Sequence, residues 1–180
     1  MKKHPIHHLQ LRVRELGQLF NSLDPSPFLN KDLDREAEVF IESWAQGLPS
    51  DSHLHITVHL QHLPTESDAA GLITEAIHNY FSYKAGLVRG ELHRLLREGR
   101  TSLLIGISFL TVCLLAADAS KEIVPGTHFA VAREGLTILG WVALWRPLQI
   151  FLYDWWPLAR KMRVCRALGR AVVRVVTAQP

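Results

Sequence analysis

His53, His55 and His59 alternate with apolar residues in the run HLHITVHLQHL, in a chain that holds 10 histidines. Imidazoles two residues apart on one strand face can share a metal ion, and zinc is the usual occupant of such a site. No acidic or cysteine ligand stands at a recognisable interval, and no HExxH pattern occurs. Arg12 and Arg14, in the neighbouring alternating run that follows His4, His7 and His8, would repel a cation. A solvated or subunit-facing histidine strand is therefore the preferred reading. Zinc held by His53, His55 and His59 is the sharper alternative, and a pH-sensitive interface is a third, because imidazole titrates near neutrality. No cofactor is expected.

A second constellation lies in Gly135 to Pro157, GLTILGWVALWRPLQIFLYDWWP. Arg146 sits about midway along this apolar stretch, followed by Pro147, which removes a backbone hydrogen bond and frees the carbonyl of Ala143. On a helical projection Arg146, Gln149, Tyr153 and Asp154 share one side, a polar stripe that suits an ion or substrate path in an oligomer. Alternatively the helix bends at Pro147 and Arg146 reaches lipid phosphates. The plainest reading is structural anchoring, with Asp154 paired to Arg97 or Arg100.

The third constellation is basic. From Arg160 onward there are six lysines or arginines and no acid. Arg160, Arg163, Arg166, Arg170 and Arg174 cover one arc of a helical wheel, an amphipathic helix suited to anionic lipids. The rival is a strand at AVVRVV, since valine favours sheets, and that strand could complete the small sheet. No aromatic residue interleaves with the arginines, so nucleic acid is not an expected partner. Phosphate-binding glycine loops, nucleophile elbows and Ser or Cys triads are missing, which points away from an enzyme.

The elements that position these residues follow from periodicity. Leu9–Leu16 and His53–Leu63 alternate as strands. Leu33 to Leu48 repeats at three- and four-residue steps as a helix, entered near Asn30 or Asp32 and stopped near Gly47–Pro49. The acids Asp24, Asp32, Asp34 and Glu36 suit that helix entrance. Two strands alone make a poor sheet, so a neighbouring subunit is expected to complete it. A capping sequence, Thr65-Glu66-Ser67-Asp68, opens a helix that meets no proline before Ala119.

Thr101–Ala117 carries no charge over 17 residues, near the short end for a bilayer span. Residues Lys84–Arg100 hold five basic side chains, whereas 118–134 hold only Lys121 and Arg133. The positive-inside rule then puts both termini in the cytoplasm. The amino-terminal stretch MKKHPIHHLQ has no apolar run to act as a signal peptide. Cys113 and Cys165 fall at different depths and support no disulfide.

The phrases FNSLDPSPF (Phe20–Phe28), AIHNYFSY (Ala76–Tyr83) and WRPLQIFLYDWWP (Trp145–Pro157) resemble those of small bacterial two-span inner-membrane proteins of unassigned function. That resemblance implies a bacterial inner-membrane location and no particular chemistry.

Together these readings predict a mainly helical α+β membrane protein. A βαβ-like cytoplasmic domain (1–65) leads through a connecting helix (66–100) into spans at 101–117 and 135–157, joined by an external loop (118–134). A basic amphipathic helix follows (158–180). The expected role is a homo-oligomeric scaffold or interaction protein, partnered by itself, the lipid bilayer and anionic lipids. A pore or transport subunit and a histidine metal-binding protein are the alternatives.

Overall fold

A computed structural model of the chain describes residues 5–21, 23–27, 29, 31–49, 52–61, 69–123 and 127–177. The expected capping sequence Thr65-Glu66-Ser67-Asp68, the helix entrance at Asn30, and His4 lie outside them. The chain forms two units, Met1–Arg89 with Ala159–Pro180, and Gly90–Leu158.

The first unit is an α/β layer. Strand β1 (Ile6–Val13) and strand β2 (His53–Leu60) flank helix α1 (Arg35–Gln46). The two strands pair in parallel, Leu9 opposite Ile56 and Leu11 opposite Val58, as a helical crossover requires. Alternation sends Leu9, Leu11, Leu54, Ile56, Val58 and Leu60 to one face, where all are buried. Each such aliphatic side chain contributes about 1.5–3 kcal/mol. Between β1 and α1 the chain folds back on itself: both Asp24 carboxylate oxygens accept backbone N–H groups, from Ser26 at 2.9 Å and Asp32 at 2.8 Å. Those bonds hold the Asp24 carboxyl below the usual carboxylate range. Asp34 then caps α1, its carboxylate accepting from the Glu36 N–H at 2.9 Å, the expected use of an acid at a helix entrance.

Two expectations are corrected here. The tail is not one basic amphipathic helix: helix α5 (Trp155–Leu168) ends there and strand β3 (Val172–Thr177) follows. β3 lies parallel to β2, Val173 opposite Ile56 and Val175 opposite Val58. The sheet, ordered β1-β2-β3, is thus completed by the chain's own tail rather than by a neighbouring subunit. The cause is the second edge of β2, whose backbone groups need partners beside a core that already buries Leu168 and Ala171.

Helix α2 (Ala69–Ile123) runs unbroken for 55 residues, and helix α3 (Thr127–Val142) begins beyond 124–126. The loop expected over 118–134 is therefore helical on both sides of those three residues. Two helical stretches, Ala70–Ser120 and Ala130–Leu168, are long and apolar enough to cross a membrane.

In the second unit α2 and the returning chain pack antiparallel. An added Cβ on Gly140 would meet Leu110 and Cys113, and one on Gly106 would meet Ala143 and Leu144. Small residues at such contacts let helix backbones approach closely. After α3 the helix breaks at Ala143–Leu144 and resumes as α4 (Trp145–Gln149). Pro147 explains the break: it has no N–H for the Ala143 carbonyl and its ring crowds that oxygen. The freed carbonyl lies against Gly106. A π-helical turn, Ile150–Asp154, then leads into α5.

Candidate functional site

The sequence-predicted residues fall in three places. On the first unit, the sheet face opposite the core presents Ile6, His8, Gln10 and Arg12 from β1. Beside them stand His53, His55, Thr57 and His59 from β2, then Val172, Arg174 and Val176 from β3. The His8 and His55 rings are 4.9 Å apart, tilted by 55°. His59 stands opposite Arg12, the guanidinium that disfavours a cation. Among the described residues no group of three or more His, Cys, Asp or Glu could hold a metal ion. His7 belongs to the opposite set of β1 side chains, as its alternation with His8 demands.

In the second unit Arg146 donates from Nη1 to Asp154 Oδ2 at 3.1 Å and from Nη2 to Glu98 Oε1 at 3.0 Å. Asp154 therefore pairs with Arg146, not with Arg97 or Arg100 as expected. The packing of Gly106 and Gly99 against residues 143–144 and 150–151 sets Arg146 level with the start of the uncharged Thr101–Ala117 segment. The π-helical turn carries one extra residue per hydrogen-bonded ring, which rotates the side chains beyond it relative to a regular helix. Tyr153 is exposed and Gln149 is exposed, and neither joins the Arg146 ion pairs. Glu98 was missed because it stands 48 positions away in a charged, solvated-looking stretch.

The five tail arginines do not share one surface. Arg160 Nη2 donates to the Gln46 carbonyl at 2.8 Å, satisfying the last turn of α1. Arg163 Nε reaches the Ala159 carbonyl of its own helix at 3.4 Å. Arg166 and Arg170 line a cleft against α2, and Arg174 sits on the open sheet face.

Sequence reasoning missed a buried cluster where α1, α2 and α5 meet. Lys84 Nζ forms ion pairs with Glu38 and Glu42, and the Cys165 thiol donates to Glu42 Oε1 at 3.5 Å. Burial pulls the Lys84 ammonium below the usual lysine range. Burial, then the Glu42 charge, pushes the Cys165 thiol up to about 11. Tyr80, one turn before Lys84, is pushed up to about 12 by burial, with Asp32 and Glu42 adding to the effect. The signal was present but weak: Glu38 and Glu42 are four apart on the α1 face that carries Ile41 and Ala45. A thiol held protonated is a poor nucleophile, so this cluster ties helices together rather than performing chemistry. Cys165 is accordingly expected to react with iodoacetamide at pH 8 about 100-fold more slowly in the folded chain than in denaturant. Mass spectrometry of the alkylated peptide checks this, and equal rates in both states would contradict the buried thiol.

A separate cleft of about 400 Å³ is lined by Asp24, Ser26, Asp32, Asn79, Tyr80 and Tyr83. Two of the phrases singled out by resemblance, FNSLDPSPF and AIHNYFSY, meet there, with Asn79 Nδ2 donating to the Leu29 carbonyl at 3.2 Å. Compared with known protein families, curated proteins and solved structures, the chain matches none.

Proposed function

We propose that this chain is a two-span protein of the bacterial inner membrane, with both termini cytoplasmic, whose α/β unit is a self-associating scaffold module. Membrane insertion is supported by the surface of the apolar segments. Leu104, Ile105, Val112, Leu115, Trp141 and Val142 are each more than half exposed, a contiguous apolar surface that water does not tolerate. Cytoplasmic termini are supported by the arginine and lysine bias on either side of the spans. Arg146 neutralised by Glu98 and Asp154 favours an anchoring role for that group over a polar pathway.

One observation carries the self-association: among the described residues, the parallel sheet is covered on one face only. Parallel sheets are buried on both faces in almost every fold that has one. Here Ile6 is 56% exposed, Val172 48% and Val176 42%. Ile6 lies on one edge strand and the valines on the other. Stacking two such faces about a two-fold axis parallel to the strands sets β1 of one copy over β3 of the second, with Thr57 over Thr57 at the centre and His8 level with Val172.

Thr57 lies at the centre of this face, on β2. Thr57→Cys in the full chain is expected to give a symmetric disulfide-linked dimer under mild oxidation. Thr57→Arg is expected to convert the detergent-solubilised dimer into monomer, read by light scattering. A wild-type chain that is monomeric at all concentrations in mild detergent would sink the reading.

A further inference from the structure

One row of the open sheet face carries two imidazoles in contact. His8 on β1 stands opposite His55 on β2, and Val172 on β3 completes the row. The two rings lie 4.9 Å apart, tilted by 55°. Two imidazoles on one zinc ion, with zinc–nitrogen bonds of about 2.0–2.1 Å at a tetrahedral angle, hold their ring centres about 5 Å apart. We propose that His8 and His55 form half of a zinc site, and that the same pair on a second copy of this chain completes it.

Completion of the site rests on the face-to-face stacking of two sheets proposed above. A two-fold axis parallel to the strands keeps every residue at its own height, and in that stacking it runs past Thr57 on β2. His55, two residues earlier on the same strand, therefore faces His55 of the second copy. One His8 stands to either side of that pair, each a strand spacing of about 4.8 Å away. Facing sheets lie about 10 Å apart, a gap that imidazoles reaching inward from both sides span. Four ring nitrogens then surround one position on the axis, the closed four-ligand set of a structural zinc site. A single copy offers only a pair, in keeping with the absence of any group of three or more metal-binding side chains among the described residues. Imidazole ligands without carboxylate or carbonyl oxygens suit zinc rather than magnesium or calcium. The charged neighbours on this face are basic: Arg174 stands opposite Thr57, one row along, and Arg12 opposite His59, two rows along. The row of His8, His55 and Val172 itself holds no guanidinium. Ring packing alone accounts for a contact between two imidazoles, but it gives the pair no reason to sit beside the axis and no dependence on metal.

The test uses the full chain without a histidine tag, stripped of metal by a chelator and held in mild detergent near neutral pH. Zinc chloride is the probe, with bound metal read by elemental mass spectrometry and molecular mass by light scattering. Zinc should bind at about one ion per two chains and tighten the dimer more than about tenfold. Magnesium at the same concentration should do neither. His8→Gln or His55→Gln should weaken zinc binding by about 100-fold or more, beyond the loss of a merely supporting group. Neither variant should lower the Tm of the metal-free chain, because both side chains stand on the open face. His59→Gln, two rows along, should leave zinc binding unchanged. Thr57→Arg keeps both histidines but separates the copies, and should lose the site as well. A dimer that takes up no zinc would overturn the site and leave the self-association standing. A chain that stays monomeric with zinc and binds none would remove both. One zinc held by each monomer, or binding undiminished in the His8 and His55 variants, would show that the two copies share no metal.

Discussion

Replacing Lys84 with methionine is expected to lower the unfolding free energy of the α/β unit by about 3–5 kcal/mol, the cost of leaving a buried charge unpaired. The Lys84 side chain is 14% exposed, and those of its partners Glu38 and Glu42 are 21% and 11% exposed. Methionine preserves most of the aliphatic stem, so the loss reports the missing ammonium rather than a cavity. Removing the facing charge as well, in Lys84→Met with Glu42→Gln, should recover most of the stability, because the pair as a whole contributes little once both desolvation costs are counted. Denaturant titration of the full chain in detergent measures both quantities. A single variant that loses less than about 1 kcal/mol, or a double variant no better than the single, would show that the cluster is solvated and structurally idle.

The second large effect is expected in the hairpin. A Cβ on Gly106 would stand 3.0 Å from the Ala143 carbonyl oxygen and 2.9 Å from Leu144 Cδ2. The first of these is backbone and cannot rotate away. Gly106→Val is therefore expected to destabilise the second unit by about 3 kcal/mol, at the upper end of overpacking costs. Gly90→Ala is the matched control in the same helix. A Cβ there meets nothing within 4 Å, so alanine should be neutral or gain up to about 1 kcal/mol through helix propensity. Thermal unfolding in detergent distinguishes them. Equal responses at the two glycines would mean that α2 and the returning chain do not pack at Gly106.

The asymmetry between those two glycines is invisible in the sequence, where each is simply a glycine in a helical run. The same holds for Lys84. Its phase with Tyr80 and Phe81 places it on an apolar stripe, but three helices must converge before Glu38, Glu42 and Cys165 become its neighbours. The segments FNSLDPSPF and AIHNYFSY become neighbours only when the loop carrying Asp24 folds onto α2 beside Asn79 and Tyr80. Spacing along one chain cannot report such meetings.

What the sequence by itself determined is local and periodic. Alternation in β1 and β2, the three- and four-residue steps of α1, the proline-free length of α2, and two long apolar stretches were all legible, because side-chain direction follows directly from backbone repeat; the entrance of α1 was not, since its cap is Asp34 rather than a residue near Asn30 or Asp32. The tail was not. Arg160 to Arg174 satisfies a helical arc, while AVVRVV satisfies a strand, and both patterns are real: the chain is helical to Leu168 and extended from Val172. Only the tertiary structure could choose the point of change, because β3 is held by the unpaired edge of β2, more than a hundred residues earlier in the chain. The hairpin register was decided in the same way, by where Gly106 and Gly140 permit two backbones to touch.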